Sequence, residues 1–332
     1  MIQIACTPKL TTGGAELLHQ LCHELQEQHF EAEMIYYYRQ TDKFIQTEIN
    51  PAYTKYVSQT MSHSASDIEG NTVVFPEVMA YLAKKFKKAR VLIYWLSVDN
   101  YIINFSWDNY LCNGMSRTFE ELKKLGRRPN FRTLGKYKHI AQSVYAMDYL
   151  AKHNIASDLV SDFINSDYFE NENVISQNKS NVICYNPKKG IYFTKRIINY
   201  LSENLSGVKF VPLVNMNSKE LKQVLKTAKL YIDFGHHPGK DRMPREAALM
   251  KCVVITGKRG SALNNLDVLI PSEYKFDEKS EDFYVKLAFM INDVLQNYNH
   301  HVAEQENYFN SIQYESQLFK QQVLSLGNSL TK

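Results

Sequence analysis

The feature that most constrains this chain is the repeated alternation of short apolar runs with segments of helical periodicity. Residues 2–6 form an apolar run, a glycine-containing break follows at 11–14, and apolar residues then recur at spacings of three and four through Leu25. A second apolar run follows at 32–38. Strand, glycine turn, helix and strand make a βαβ unit, which indicates a parallel sheet covered by helices.

The alternation occurs in two successive series. The first ends with a strand and helix at 139–150, and the second begins with the apolar run at 181–185. Between them, residues 165–180 are rich in Asn, Ser and Glu without clear periodicity, which is typical of a linker. We therefore predict an α/β protein with two Rossmann-like domains facing across a cleft. The expected domains are residues 1–168 and 180–300, and a helical tail over 301–332 is expected to close the pair and pack back towards the N-terminal domain.

The composition indicates a globular protein and argues against several other classes of protein. The 332 residues are 44% hydrophobic and 22% charged, which allows a sizeable core and excludes disorder and filaments. A net charge of +4 is too small to demand a nucleic acid as partner. The five Cys have no C-x-x-C spacing, which favours reduced thiols over a disulfide framework or a zinc site. We expect a cytoplasmic protein, because the longest apolar run, 91–98, is too short to span a membrane and no signal peptide is apparent.

The most informative segment is 233–249. An apolar run ends near Phe234, and a loop rich in Gly, Pro and His follows with three cations, Lys240, Arg242 and Arg245. Pro244 suits the first turn of a helix. Ligands of open α/β sheets bind at the carboxyl ends of the strands, and a helix N-terminus beside cations favours a diphosphate. The alternative is a solvated surface loop with charges of both signs.

Residues 245–255 resemble the donor-binding helix and following strand of GT-B fold glycosyltransferases, which typically read Glu-Ala-Met-Ala-x-Gly-x-Pro-Val-Ile at this place. The resemblance assigns Glu246 to the ribose hydroxyls of a nucleotide sugar. The longer string 234–262 also resembles bacterial surface-polysaccharide enzymes of this fold, which act in capsule and lipopolysaccharide biosynthesis. Many retaining members carry another Glu eight residues earlier that contacts the transferred sugar. This sequence has Pro238 there, so retention or inversion of configuration is left open.

The loop after the run at 181–185 adds to the expected donor site. GT-B enzymes often place a Gly-Arg…Lys-Gly pair there to neutralise the donor phosphates; Lys189 fits the lysine, and Asn186 stands where the arginine would be. Because these loops contain no Asp-x-Asp cluster, we expect cations rather than a metal or other cofactor to stabilise the departing diphosphate. The expected donor-binding residues are Asn186, Lys189, His236, His237, Gly239, Lys240, Arg242, Arg245 and Glu246.

The first series carries the expected acceptor side. Gly13, Gly14 and Glu16 open the first helix, where a bare glycine backbone lets substrate approach closely; a plain βα turn explains them equally well. Asp99 follows another strand, and an inverting transferase needs a base that deprotonates the acceptor hydroxyl. Asp99 is the first candidate for that base. Helix capping is its alternative role, and Glu16, Glu77 and His139 are its rivals.

Residues 123–138 form a basic run, with seven cations and no acid in 16 residues. Such a run suits an anionic membrane surface, and a lipid-linked acceptor would fit it. A flexible basic loop without lipid contact is the alternative.

The resemblance implies a metal-independent glycosyltransferase (EC 2.4) that moves a sugar from a nucleotide-sugar donor to a glycan or lipid-linked acceptor at the inner face of a membrane. A sugar-nucleotide epimerase, or a non-catalytic scaffold that binds glycan or partner enzymes, is the alternative function. The sequence names neither the nucleotide, the sugar, the acceptor nor the oligomeric state.

Overall fold

The computed structural model describes residues 1–57, 65–102, 128–165, 168–169, 179–187 and 190–331. The chain divides into two compact units. The first consists of Met1–Asp162 together with Ser316–Lys332, and the second consists of Phe163–Glu315. The tail expected from residue 301 onward is thus divided after Glu315, and only its later part belongs to the first unit.

The first unit is built on a seven-stranded sheet in the order β3-β2-β1-β4-β5-β6-β7, parallel except for β3. Its strands are β1 (Ile2–Cys6), β2 (Ala32–Tyr38), β3 (Lys43–Ile45), β4 (Thr72–Pro76), β5 (Arg90–Trp95), β6 (Lys138–Ala141) and β7 (Asp158–Leu159). Its α-helices before residue 162 are α1 (Gly13–Glu27), α2 (Val98–Tyr101), α3 (Phe131–Leu134) and α4 (Val144–Ala151). The inner strands are buried along nearly their whole length, as expected for a parallel sheet covered on both faces.

The second unit is built on a five-stranded parallel sheet in the order β12-β11-β10-β8-β9. Its strands are β8 (Ser180–Tyr185), β9 (Lys209–Pro212), β10 (Ala228–Asp233), β11 (Val253–Gly257) and β12 (Lys275–Phe276). Its helices are α5 (Ile191–Asn204), α6 (Ser218–Thr227), α7 (Arg242–Leu249), α8 (Phe283–Gln296), α9 (Tyr298–Glu304) and α10 (Glu306–Gln313). The two sheets confirm the predicted α/β class with two Rossmann-like units.

Side-chain caps set where helices begin after the strand-end loops. The Thr12 hydroxyl accepts a hydrogen bond from the Ala15 amide at the start of α1, and the Ser143 hydroxyl caps α4 in the same way. Asn217 and Glu220 form a reciprocal capping box on α6. These caps fix the starts of α1, α4 and α6, whereas α5 and α7 begin without a side-chain cap.

The structure defines three helical segments more closely than the sequence pattern does. Residues Glu77–Lys85 form a 3₁₀-helix rather than an α-helix. Its buried residues recur three apart, Met79 with Leu82 and Ala80 with Ala83, which matches three residues per turn. Helix α7 begins at Arg242, so Pro244 lies in its first turn, as expected, where no amide partner is required. The helical tail is interrupted, and its last helix, α11, spans Glu315–Thr331.

Most of α11 packs within the first unit through one apolar stripe. Phe319, Val323, Leu326 and Leu330 recur at spacings of three and four and are all buried. The Gln28 side chain donates to the Lys320 carbonyl at 2.9 Å, and the Arg90 guanidinium donates to the Leu330 carbonyl at 2.9 Å. Within the described ranges, no helix is both long and apolar enough to cross a bilayer.

Candidate functional site

Four loops of the second unit leave the same edge of its sheet. The register pairs Ile232 of β10 with Tyr185 of β8, and Asp233 of β10 with Thr256 of β11. Gly257 of β11 pairs in turn with Phe276 of β12. Because these strands are parallel, the segments that follow β8, β10, β11 and β12 emerge side by side, at the edge where open α/β sheets bind ligands.

A pair of glycines lets two of these loops touch. Gly190 has a φ of 59°, and a Cβ at that position would lie 3.2 Å from the Gly235 Cα and 3.4 Å from the Phe234 carbonyl oxygen. Any larger residue would therefore be strained and crowded. The close approach places the N-terminus of α5 against the start of the segment that follows β10, residues 234–241, which is called the β10 loop below.

His237 lies between two carboxylates at the centre of the β10 loop. Its imidazole is completely buried, with Nδ1 2.9 Å from Asp241 Oδ2 and Nε2 3.5 Å from Asp233 Oδ1. Neither contact has the geometry of a well-aligned hydrogen bond, so the interaction is chiefly ionic. Burial lowers the pKa of His237, but the two carboxylates outweigh it and raise the pKa to about 10. The imidazolium therefore holds the loop together.

Further contacts fix the ends of this loop. Asp233 accepts hydrogen bonds from the Tyr231 hydroxyl at 2.7 Å and from the Gly235 amide at 3.0 Å. The Ser261 amide donates to the His237 carbonyl at 2.9 Å, and its hydroxyl donates to the Gly239 carbonyl at 2.5 Å. The loop after β10 is thus attached to the loop after β11.

Two of the expected phosphate-binding cations share one carboxylate. Lys240 Nζ lies 2.7 Å from Glu315 Oε1, and Arg245 Nη1 lies 2.8 Å from Glu315 Oε2. The completely buried Arg245 also donates to the backbone carbonyls of Lys240 and Asp241, at 3.1 and 3.2 Å. Arg245 therefore stabilises the loop from a buried position. The Lys240 side chain is 14% exposed and keeps some access to solvent.

Arg242 and Glu246 lie one turn apart on α7. Arg242 Nε is 3.4 Å from Glu246 Oε1, and the two side chains are 18% and 10% exposed. Both therefore keep some access to solvent near the N-terminus of the helix. A carboxylate in that position can accept hydrogen bonds from ribose hydroxyls, and the adjacent guanidinium adds positive charge.

The structure brings most of the expected donor residues to this edge. Gly239 and Asn186 are buried, and His236 is exposed. Lys189 lies outside the described residues. The ligand contacts expected for the whole set stay predictions. Sequence reasoning missed Asp233, Asp241 and Glu315, which hold the loop; the acid at spacing four on each side of His237 was the one local signal available.

In the first unit, tyrosine hydroxyls hold the expected acceptor-side residues. The Tyr53 hydroxyl contacts the Thr12 amide at 3.0 Å and the Thr12 carbonyl at 3.1 Å, just before Gly13. The Tyr56 hydroxyl donates to Glu16 Oε1 at 2.7 Å. A Cβ on Gly14 would lie 3.2 Å from the Leu96 side chain, so a small residue is required by packing as well.

Asp99 lies in the first turn of the short helix α2, four residues beyond the end of β5. Its side chain is partly buried, and Oδ1 accepts a hydrogen bond from the Tyr145 hydroxyl at 3.2 Å. Ser97, not Asp99, caps the helix. The role of Asp99 as a base stays a prediction.

Two rivals for the base role have internal partners. Glu77 is buried, its Oε2 accepts the Leu96 amide at 2.9 Å, and burial raises its pKa to about 7. His139 accepts the Trp95 indole N–H on Nδ1 at 2.9 Å, and its Nε2 lies 2.9 Å from the Leu134 carbonyl. These contacts require the neutral Nε2–H tautomer, and burial lowers the pKa of His139. Both ring nitrogens of His139 are therefore occupied, and neither is available to take a proton from the acceptor substrate.

Only part of the basic run is described, because residues 123–127 lie outside the described ranges. The Arg128 guanidinium donates to the Asn100 carbonyl and lies 5.2 Å from the Tyr101 ring centre. Lys138 donates to the Ser329 hydroxyl at 2.6 Å. Contact of this run with a membrane stays a prediction.

In the described part of the chain, no group of three or more His, Cys, Asp or Glu could hold a metal ion. Metal independence of the reaction nevertheless stays a prediction.

No protein-family model and no curated protein matches the sequence. Solved structures do match. The complex of Anabaena HepE with UDP has 13% identity, 99% coverage of both chains and a TM-score of 0.61. Sucrose-phosphate synthase from Thermosynechococcus elongatus has 13% identity, a TM-score of 0.62 and coverage of 98% of this chain and 97% of that one. TarM has 11% identity and a TM-score of 0.57; the match covers 90% of this chain and 63% of TarM.

The chain has the GT-B fold. The resemblance that residues 234–262 indicated is therefore confirmed at the level of structure. At identities of 11–13%, the likeness shows the fold alone.

Proposed function

We propose that the protein is a glycosyltransferase that moves a sugar, of the hexosyl or a related type, from a nucleotide-sugar donor to a glycan or lipid-linked acceptor. Two partly exposed cations carry the proposal: Lys240, at the end of the β10 loop, pairs with Glu315, and Arg242, the first residue of α7, pairs with Glu246. HepE, which shares the fold, has been solved in complex with UDP and with UDP-glucose. We place the reaction in bacterial surface-polysaccharide assembly in the cytoplasm.

The chemistry follows from the charges. When the bond between the sugar and the diphosphate breaks, negative charge grows on the departing phosphate oxygen. Fixed cations and the N-termini of α5 and α7 stabilise that charge without a metal ion, because they are already oriented. In an inverting reaction, the acceptor hydroxyl attacks the anomeric carbon and gives its proton to Asp99.

Thermal denaturation with UDP, GDP, CMP and dTDP tests the donor assignment. At least one nucleotide is expected to raise the melting temperature of the wild-type protein, because a ligand that binds only the native state stabilises it. Replacing both Lys240 and Arg242 with Ala should abolish the shift. Lys219→Ala, at an exposed lysine on α6, is the matched control and should keep it. Absence of a shift with every nucleotide would contradict the proposal.

A non-catalytic scaffold is the second candidate, favoured by Pro238 at the position where many retaining enzymes carry a carboxylate. A scaffold would bind nucleotide or glycan without turnover, so incubation with nucleotide sugars and release of free nucleoside diphosphate separate the two functions.

A further inference from the structure

A further carboxylate, Glu278, lies at the same edge of the second sheet and has no part in the function described above. It follows β12 by two residues, and its side chain is only 5% exposed. Oε2 forms an ion pair with Arg259 Nε. Oε1 is buried and has no hydrogen-bond partner among the described residues.

The position of this carboxylate follows from the sheet register. Gly257 is the last residue of β11 and pairs with Phe276 of β12. A Cβ at Gly257 would collide with Glu278 Oε1 and would lie 3.4 Å from the Phe234 ring. The unpartnered oxygen Oε1 therefore lies across the end of β11, beside the start of the β10 loop, in space that a Cβ at position 257 would contest.

Arg259 connects the carboxylate to the rest of the edge. Its guanidinium lies 5.6 Å from the ring centre of Phe193, in the first turn of α5. The next residue, Gly260, has a φ of 57° and packs so closely on the His237 carbonyl that a Cβ would collide with it. Glu278 is thus held among the segments that form the proposed donor site.

A simple structural ion pair does not account for this arrangement. An ionised carboxylate that is buried with one oxygen unpartnered is costly, and such groups usually have a partner. Burial raises the pKa of Glu278 to about 7 although the Arg259 guanidinium lowers it. The Arg259 side chain is 43% exposed, so the pair lies close to the surface rather than deep in the core. An incoming hydroxyl could complete the hydrogen bonding of Oε1.

The chemistry limits what that hydroxyl belongs to. A carboxylate repels a diphosphate, so Glu278 must face a neutral, hydroxyl-bearing part of the donor. The donor has two such parts, the ribose and the transferred sugar. Glu246 on α7 already offers a carboxylate to the ribose.

We propose that Glu278, held in place by Arg259, accepts a hydrogen bond from a hydroxyl of the transferred sugar and thereby contributes to donor specificity. The inference rests on the proposed function. It assigns the sugar to the ends of β11 and β12 and the nucleoside to α7.

Titration calorimetry tests the assignment with UDP, UDP-glucose, UDP-N-acetylglucosamine, GDP and GDP-mannose on the wild-type protein, Glu278→Gln and Glu246→Gln. Glu278→Gln should weaken binding of the preferred nucleotide sugar about tenfold, while affinity for its free nucleoside diphosphate changes less than about twofold. Glu246→Gln should weaken both. Glu273→Gln, at an exposed residue before β12, is the matched control and should change neither.

The outcomes separate the two proposals. Equal loss of nucleotide sugar and free diphosphate in Glu278→Gln would place Glu278 on the nucleoside, and no loss of either would make it a structural partner of Arg259; both overturn the inference and leave the proposed function standing. If none of these compounds binds the wild-type protein, and neither CMP nor dTDP does, the donor site itself is wrong and the inference falls with it. Glu278→Asp keeps the charge but withdraws the carboxylate, so it should show the same selective loss if Glu278→Gln does not fold.

Discussion

The strand-end segments of the two units hold their polar side chains in different ways. In the second unit, charged groups hold one another: His237 lies between Asp233 and Asp241, and Glu315 joins Lys240 to Arg245. In the first unit, the neutral hydroxyls of Tyr56 and Tyr145 donate to the carboxylates of Glu16 and Asp99, and the exposed Lys55 lies 4.0 Å from Glu16. Under the proposed function, ionic bracing suits the second unit, because fixed charge then meets the diphosphate without reorganisation as negative charge develops. Under the same proposal, the tyrosine hydroxyls orient carboxylates that face the uncharged hydroxyl of the acceptor substrate.

The largest expected effect separates the chemistry of the first unit from the binding of the second. If the reaction inverts the anomeric centre, Asp99→Asn should lower turnover about 10²–10⁴-fold, the usual contribution of a general base, with donor affinity unchanged. Turnover, calorimetry and the anomeric configuration of the product by NMR check this. Asp158→Asn, at an exposed carboxylate of β7, is the control. A product with retained configuration, or normal turnover in Asp99→Asn, would remove Asp99 from the role.

Stability should distinguish ionic from neutral bracing. Glu315→Gln removes the charge that faces the buried Arg245, and breaking a buried pair on one side costs about 3–5 kcal/mol of unfolding free energy. Tyr145→Phe removes one neutral hydrogen bond to Asp99 and should cost about 0.5–1.5 kcal/mol. Urea denaturation of both variants measures the two values. Equal losses would refute the distinction between the two modes of bracing.

The pH dependence of stability should report the imidazolium in the β10 loop. The pKa of His237 is raised to about 10 in the folded protein, against about 6.5 for an unperturbed histidine. Its contribution to stability is therefore complete below pH 6.5 and is lost as the pH rises towards 10. Wild-type protein should be more stable than His237→Gln at pH 7, and the gap should narrow by pH 9.5. A gap independent of pH would show that His237 is not charged.

The smallest expected effect is an absence of change. Transfer should persist in EDTA, because the proposal assigns to the fixed cations of the second unit the role that a divalent ion has in other transferases. A radiolabelled or NMR transfer assay with and without EDTA measures it. Complete loss of transfer that magnesium or manganese restores would contradict the metal-free assignment.

The sequence predicts those features of the fold and the site that depend on residues close together in the chain. Apolar runs and glycine turns identified the α/β units, and the segment 234–241 was placed correctly at a strand end. The bracing partners depend on contacts between distant parts of the chain: Glu315 lies 70 residues beyond Arg245, and Tyr56 lies 40 residues beyond Glu16. His139 is the opposite error: the sequence suggested it as a candidate base, and contacts in the folded chain leave it no such role. A histidine at a strand carries no local signal that Trp95 and the Leu134 carbonyl occupy its ring.

The membership of α11 in the first unit has a consequence for the order of folding during synthesis on the ribosome. Residues of the second unit, 163–315, are translated without interruption, whereas the first unit needs 316–331 to cover the surface around Phe30, whose ring lies against Gly327. Domains generally fold as they emerge. The nascent first unit must therefore keep the apolar surface around Phe30 uncovered until the whole second unit has been translated. Helix α11, which is made after the whole second unit, thus completes a unit whose first strands were made before it.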